Sequence, residues 1–420
     1  MENLKLLQLE KLQATLNRVY KEVPFYRHLF DSVSFNPEDF SDLEDLKKIP
    51  FTTREDLSKN YPYNMFAVPL REVVRILATS GTTGNPLVVG YTRNDLSILT
   101  DLSATALRNM EVTKDDVVQI TFHPGLFSSA FGIQSGAEII GASVIPVHFE
   151  DPYKQLKILQ DYRTTVLVCT PSYAIWLCET LPQAKINPNS LFLKKIILCG
   201  EPFTETQRSI ISDTFKVEVY NLYSIMEVFG PGIAFECKEK KGLHFMENHF
   251  LVEVIDPESL LPVKPGETGE LVITTLTKEA FPLIRYRTGD LVIYKYENCP
   301  CGFPYPILTS SILGRRDDVV IIRGLKFYPS QIDEILASWA GEPLKFQIVL
   351  EKKEGLDEVF LFLVPSEKFF SDSFIEQEKI KKQLEERLYL HLNIPVKIKF
   401  VEEGSLEKRN NKLLQIVDKR

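Results

Sequence analysis

Leu4, Leu7, Leu9, Leu12 and Leu16, followed by Val19, recur at roughly a helical period with polar residues between them. Residues 3–22 therefore predict an amphipathic helix. Val23-Pro24-Phe25-Tyr26 stops it, and Ile49-Pro50-Phe51-Thr52 introduces a further connection. The β-branched run Val73-Val74-Arg75-Ile76-Leu77-Ala78 reads as a strand. Beyond it, helices over 95–110, 130–140, 153–161 and 173–180 alternate with strands over 117–122, 143–147, 165–169 and 195–198. Such alternation argues for a parallel sheet with helices on its faces. From about residue 250 the pattern changes to closely spaced strands at 251–255, 269–275 and 291–296, an antiparallel or barrel-like section. After Gly314 a compact α+β unit follows, with strands over 319–323, 345–350 and 358–364 and helices over 328–338 and 375–388. The fold class is thus α/β, a large N-terminal domain over 1–314 and a small C-terminal one over 315–420.

Composition narrows the function without naming it. A chain of 420 residues suits two domains, and 44% apolar with 25% charged residues is ordinary for a soluble globular protein. A formal net charge of −8 argues against a general nucleic-acid binder, which needs a basic face. Neither a signal peptide nor an apolar run near the ~20 residues of a membrane span is apparent. Six cysteines in a chain this long do not suggest a disulfide framework, so a reducing, cytoplasmic location is expected.

Five stretches carry candidate chemistry. Ser80-Gly81-Thr82-Thr83-Gly84 follows the first strand, and its glycines and hydroxyls can surround a phosphate without a fixed charge. A Ser/Thr/Gly surface turn is the other reading, and the spacing matches neither the P-loop nor the dinucleotide turn. Tyr223 and Glu227 follow a short strand over 217–220, where a ring could stack on a base and a carboxylate could hold Mg²⁺; a half-buried ring and a solvated charge would look the same. Gly200-Glu201-Pro202 leaves the carboxyl end of a parallel strand, the edge that ligands favour. Asp290, after a turn glycine, could take both ribose hydroxyls or sit solvated in a hairpin. Gly314-Arg315-Arg316-Asp317-Asp318 is either a plain linker or the place where backbone torsion changes as a domain moves.

In order and spacing these segments resemble the phenylacetate-CoA ligases, a short branch of the adenylate-forming superfamily. The specific pieces are Gly230-Pro231-Gly232-Ile233-Ala234-Phe235-Glu236-Cys237, Thr274-Thr275-Leu276-Thr277-Lys278-Glu279-Ala280, Pro282-Leu283-Ile284-Arg285-Tyr286-Arg287, and Ile322-Arg323-Gly324 with Tyr328-Pro329-Ser330-Gln331-Ile332. The resemblance implies ATP, Mg²⁺ and coenzyme A. A carboxylate attacks the α-phosphate to give acyl-AMP, and the CoA thiolate then displaces AMP. It further implies that Ser80–Gly84 hold phosphates, Tyr223 stacks on adenine and Glu227 ligates Mg²⁺. Asp290 would bind ribose, and Arg315 ribose or phosphate. Asp317 falls at the hinge of a mobile C-terminal domain, and Gly324 on the loop lining the pantetheine route. Lys412 aligns with the catalytic lysine, with Lys408 and Arg409 as neighbours that could serve instead.

The sequence departs from the family at Ser224, Met226, Glu407 and Asn411, and at Phe122-His123-Pro124-Gly125 beside the acyl pocket. Phe122, His123, Phe127, Phe131 and Ile225 are the expected pocket walls, or else plain core. The expected guest is an aromatic carboxylic acid. Cys237, His244, Cys299 and Cys301 suit a closed structural Zn²⁺ site, which related chains carry, although buried thiols are commonly core. Cys169, Cys178 and Cys199 lie in apolar runs and read as core. Competing readings are an adenylating enzyme whose acceptor is a carrier-protein thiol or another group, and a degenerate nucleotide-binding relative. A homodimer is compatible with all of them.

Overall fold

The computed structural model describes residues 2–79, 87–122, 130–147, 151–308, 311–316, 320–322, 325–353, 356–366, 374–409 and 412–420. Contacts divide the chain into two compact units, Met1–Pro202 with Ile211–Leu313 and Phe203–Ile210 with Gly314–Arg420.

The first unit opens with α1 (Glu2–Glu22), which buries Leu12, Leu16 and Val19. Pro24 does end α1, but at the first position of a new helix, α2 (Pro24–Ser32), where its missing N–H costs nothing. Thr53 and Asp56 form a capping box that starts α3 (Arg54–Lys59). Strands β1 (Arg75–Ala78) and β2 (Val88–Tyr91) pair antiparallel. Thr92 and Asp95 cap α4 (Arg93–Asn109) in the same reciprocal way. The alternating part then follows the expected rhythm: β3 (Val117–Ile120), α5 (Ala130–Ile140), β4 (Ser143–Ile145), α6 (Pro152–Asp161), β5 (Val166–Cys169), α7 (Pro171–Gln183), β6 (Lys195–Cys199), α8 (Glu205–Phe215), whose residues up to Ile210 are grouped with the second unit, and β7 (Glu218–Ile225). β3 to β7 run parallel. β5 is buried along its whole length, which is why it reads as an unbroken apolar run.

At β7 the sheet changes character. β8 (Gly230–Phe235) and β9 (Leu243–Phe245) add to it antiparallel. A meander of β10 (Phe250–Ile255), β11 (Thr268–Thr275) and β12 (Tyr286–Ile293) forms a separate antiparallel sheet. β13 (Tyr296–Glu297) and β14 (Ile307–Leu308) return to complete the nine-stranded order β13-β14-β9-β8-β7-β6-β5-β3-β4 among the described residues. Two expectations are corrected here. The strand expected to stop near residue 220 runs on to Ile225, because β8 supplies a ladder for it. Residues 286–290, expected as a turn, lie inside β12, where a register shift opposite Glu270/Val272 and a positive φ at Gly289 make a bulge. Helices α4 and α5 meet closely, and a Cβ at Gly136 would come within 2.6 Å of Ser103 Cβ.

The second unit contains β15 (Gly314–Arg315), the hairpin β16 (Val320–Ile322) with β17 (Leu325–Phe327), and α9 (Pro329–Ala340). It continues with β18 (Phe346–Lys353), β19 (Leu356–Leu363), α10 (Phe374–Leu392), β20 (Val396–Phe400), β21 (Lys408–Arg409), β22 (Lys412–Leu413) and β23 (Ile416–Asp418). Ile332, Leu336, Ile348, Leu361, Leu384 and Ile398 belong to its own core.

One buried arginine organises the approach to the site in the first unit. Arg285 donates to both oxygens of Glu253, at 3.1 and 2.7 Å, and to the carbonyl of Ile49 at 2.7 Å. Its guanidinium lies 3.9 Å from the centroid of the Phe51 ring. Beside it, Thr52 exchanges backbone hydrogen bonds with Arg285 and Arg287, and its hydroxyl donates to the Ile284 carbonyl at 2.7 Å. The strap Ile49–Thr53 is thereby fixed just before α3. Substitution Arg285→Met leaves Glu253 without its cation and should cost about 3–5 kcal/mol. Urea unfolding measures this; a loss below about 1 kcal/mol would mean the pair is dispensable.

Candidate functional site

Of the residues singled out in the sequence, Ser80, Gly81, Thr82, Thr83, Gly84, His123, Pro124, Gly125, Phe127, Asp317, Asp318, Arg323, Gly324 and Asn411 lie outside the described residues. The others can be placed.

Tyr223 sits near the carboxyl end of β7, where the parallel ladder gives way to the antiparallel one. Its hydroxyl donates to Asp290 Oδ2 at 2.5 Å, across 67 residues of chain. Both side chains are buried, at 7% and 6% exposure, and Phe245 of β9 packs edge-on against the Tyr223 ring with centroids 6.1 Å apart. The bulge in β12 turns Asp290 to this meeting point, and the Thr288 hydroxyl accepts its backbone N–H at 3.0 Å. Cys199 of β6 is in register with Leu222 of β7, so the Gly200-Glu201-Pro202 loop leaves the sheet at the level of Tyr223. Gly200 has φ +89, and Glu201 accepts the backbone N–H of Ser172 near the start of α7 at 3.1 Å. An aromatic ring tied to a carboxylate, beside a glycine turn at the carboxyl edge of parallel strands, suits a base and its sugar.

Glu227 follows four residues after Tyr223 and is 7% exposed. Arg54 Nη1 donates to Glu227 Oε1 at 2.8 Å. Sequence reasoning did not single out Arg54. It occupies the first position of α3, where the helix dipole disfavours a cation, and that mismatch was the available signal. The pair leaves a carboxylate oxygen for a hard cation and sets a guanidinium next to whatever anion that cation accompanies.

Leu77, Tyr91, Leu99, Phe131, Gly132, Met226, Gly230 and Pro231 line a narrow cavity of about 10 Å³. Tyr91 spends its hydroxyl on the Phe229 carbonyl at 3.0 Å, so the lining is apolar. Phe131 is among the walls the sequence suggests. Ile225 packs against the core while its neighbour Met226 lines the cavity, and Phe122 lies 3.8 Å from where a Gly200 Cβ would be. A Cβ at Gly132 would come within 2.7 Å of Pro231, so glycine there is what lets two walls approach.

Cys237, His244, Cys299 and Cys301 converge at the other end of β8 and β9, with all four ligand atoms within 4.8 Å of one another. Cys237 and Cys299 Sγ are 3.6 Å apart, far beyond a disulfide, and Cys301 Sγ is 3.3 Å from His244 Nε2. Tetrahedral Zn²⁺ would set such separations at about 3.8 and 3.6 Å. His244 Nδ1–H donates to the Tyr305 carbonyl at 3.2 Å, leaving Nε2 as the lone-pair donor. These residues fit a soft tetrahedral metal. Cys169, Cys178 and Cys199 are buried apart from the cluster.

In the second unit, Arg315 lies on β15 and Lys412 begins β22, opposite Arg409 of β21. Gln347 ties down that hairpin: its amide donates to the carbonyls of Glu407 and Leu414 at 3.0 and 2.6 Å and accepts from Glu407 N–H at 3.1 Å. Glu407, one of the departures in the sequence, is thus held through its backbone, which does not depend on its side chain. No helix among the described residues is long and apolar enough to cross a membrane.

Residues 28–277 match the family of AMP-binding enzymes, and residues 324–420 match the AMP-binding enzyme C-terminal domain. The chain is 39% identical, over 100% of its length and 97% of the relative, to phenylacetate-coenzyme A ligase from Thermus thermophilus. It is 35% identical to the phenylacetate-coenzyme A ligase of Escherichia coli, over 100% of this chain and 95% of that one. A crystal structure of 2-hydroxyisobutyryl-CoA ligase in complex with 2-HIB-AMP matches at a TM-score of 0.89 and 27% identity, covering 98% of this chain and 89% of that one. The chain belongs to the AMP-binding, adenylate-forming enzymes, in the phenylacetate-CoA ligase family.

Proposed function

We propose that this chain is an AMP-forming acid–thiol ligase that activates an aryl or arylacetic acid with ATP and transfers the acyl group to coenzyme A. The observation that carries this reading is the Tyr223–Asp290 hydrogen bond, with Glu227 and its Arg54 partner four residues further on. In the first half-reaction the acid's carboxylate oxygen attacks the α-phosphorus, and the bond to pyrophosphate breaks. In the second, the CoA thiolate attacks the acyl carbon and AMP leaves. Phosphoryl transfer of this kind requires positioning and charge neutralisation rather than a protein nucleophile.

The roles follow from the chemistry. Tyr223 presents its ring to adenine while its hydroxyl orients Asp290, whose remaining acceptor capacity takes the ribose hydroxyls. Ser80–Gly84 and the Gly200–Pro202 loop flank the nucleotide. Glu227 offers an oxygen to Mg²⁺, which when bound neutralises phosphate charge. Arg54 holds Glu227 in place. Arg315 contacts ribose or phosphate, and Lys412 neutralises charge developing between carboxylate and α-phosphate. Residues 1–314 act as the adenylation domain, and 315–420 as a mobile lid turning about Asp317, with Gly324 beside the CoA route. The boundary between the two contact units at Leu313/Gly314 supports that division. Apolar side chains at Phe131 and Met226 support an apolar acyl group on the acid.

Pyrophosphate release across a panel of aromatic and aliphatic acids, with and without CoA, tests the reading. Thioester formation with an aromatic acid is expected. Acyl-AMP without thioester would point to a carrier-protein thiol or another acceptor, and no release with any acid would overturn the reading. Lys412→Ala should slow pyrophosphate release by about 10²–10³-fold while leaving thioester formation from supplied acyl-AMP within a few-fold. Arg54→Ala should lower kcat/KM for pyrophosphate release about tenfold or more and raise the Mg²⁺ concentration at half-maximal rate, because Glu227 loses its fixed orientation.

The Cys237, His244, Cys299 and Cys301 cluster holds a structural Zn²⁺ that staples β8, β9 and the segment before β14. Elemental analysis should find about one zinc per chain. Cys301→Ser should reduce that content and lower the melting temperature, since binding energy at such a site is folding energy. Full zinc content in the Ser variant would place the metal elsewhere.

A further inference from the structure

Lys278 lies between β11 and β12 in a segment pinned from both sides. Asp95 accepts the backbone N–H groups of Glu279 and Ala280 at 2.7 and 3.0 Å. Glu279 in turn accepts from the Thr92 hydroxyl at 2.7 Å and the Asn94 amide at 2.9 Å. With its neighbours held to the start of α4, the Lys278 side chain points inward and is 1% exposed. Its amine makes no hydrogen bond. It rests instead on two aromatic faces, 3.1 Å from the Tyr91 ring centroid and 4.3 Å from that of Phe229.

Those rings stand at the narrow apolar cavity that the ligase reading assigns to the acyl group. Tyr91 lines it directly, and Phe229 precedes Gly230, which also lines it. The two are joined by the Tyr91 hydroxyl on the Phe229 carbonyl and by an edge-to-face contact at 6.3 Å. An apolar side chain would fill this space without the cost of desolvating an amine that has no acceptor. A packing role alone therefore does not account for lysine here. A cation, by contrast, is attracted to both ring faces and polarises the phenol toward its acceptor.

We propose that Lys278 is a positioning residue for the acyl pocket: its ammonium, seated on Tyr91 and Phe229, holds that wall in place and so strengthens binding of the carboxylic acid without touching it. The proposal rests on the ligase reading for the identity of the guest. Loss of the proton removes the attraction to the rings and loosens the wall. Burial pushes the amine down to about 7, against the opposing pull of Asp95 on α4, so this happens in the neutral range. The other charged groups around it are Glu279 next in sequence, and Arg75 of β1 and Glu227, both of which act on Tyr91.

Steady-state kinetics from pH 6 to 8.5 with phenylacetate as the probe acid, on the wild type, Lys278→Met and Lys278→Arg, tests the proposal. In the wild type the KM for the acid should rise about five- to tenfold across the range while the KM for ATP changes little. Lys278→Met should show the high acid KM at every pH, with kcat reduced less than the acid affinity. Lys278→Arg, if it folds, should keep the low KM throughout, because its charge does not titrate there. Melting curves give a readout that needs no substrate. The folded chain binds fewer protons at this site than the unfolded chain between about pH 7 and 10.5, so the wild type should gain stability relative to Lys278→Met as pH rises through that window. An active Lys278→Met enzyme with an unchanged acid KM and pH profile would overturn the proposal while leaving the ligase reading intact. A wild type that forms no thioester with any acid would overturn both.

Discussion

The guanidinium of Arg285 is the constraint on which the active face of the first unit depends. Its donors reach Glu253 on β10 and the carbonyl of Ile49, and its plane lies against Phe51. A segment distant in sequence is thereby fastened to the entrance of β12. The consequences run in both directions along the chain. Two residues after Thr52 comes Arg54, which meets Glu227; five residues after Arg285 comes Asp290, which meets Tyr223. A single ion pair, with its arginine buried and its glutamate half-buried, thus sets two arms of the site. A lysine could not do the same, having one point charge where a planar fork is needed.

The second constraint is the change of strand direction at β7. Parallel strands end together and leave a crevice at their carboxyl edge, whereas an antiparallel neighbour carries the ladder further. β7 has both kinds of neighbour, β6 on one side and β8 on the other. Its last residues therefore extend past the crevice floor while remaining hydrogen-bonded, and Tyr223 is presented from a rigid strand rather than a loop. The Cys and His cluster lies along the same β8–β9 ladder, and Phe245, next to His244, packs on Tyr223. His244 of the cluster and Phe245, which packs on Tyr223, are adjacent positions of β9.

Arg285 and Lys278 show two treatments of a buried cation. Arg285 is surrounded by acceptors, and its charge is compensated where it sits. Lys278 has ring faces in place of acceptors, and burial shifts its proton equilibrium to about 7. The first arrangement is suited to holding a fold together over a wide pH range. The second is unsuited to scaffolding over a wide pH range and fits the proposed role as a pH-responsive pocket wall.

How much was visible beforehand differs between local and distant effects. The helices and parallel strands from residue 95 to 199 were legible because their period and turn residues depend on near neighbours, and α5 starts and ends where the pattern placed it. Tyr223, Asp290 and the Cys/His set could also be singled out as candidates, since residue type and order suffice for that. The pairings were not. That Tyr223 donates to Asp290, that Arg54 meets Glu227, and that Met226 faces the cavity beside Phe131 all depend on strands meeting across tens or hundreds of residues. β7 ran longer than its own residues suggested because β8 extended its ladder, and Asp290 moved from a supposed turn into a bulged strand because β11 lay beside it. By itself the sequence determined the alternation of elements and the family of chemistry, both of which are written in local pattern. Only the tertiary structure decided which charges are paired and which are left on aromatic faces, because desolvation and partner geometry exist only once the chain has closed on itself.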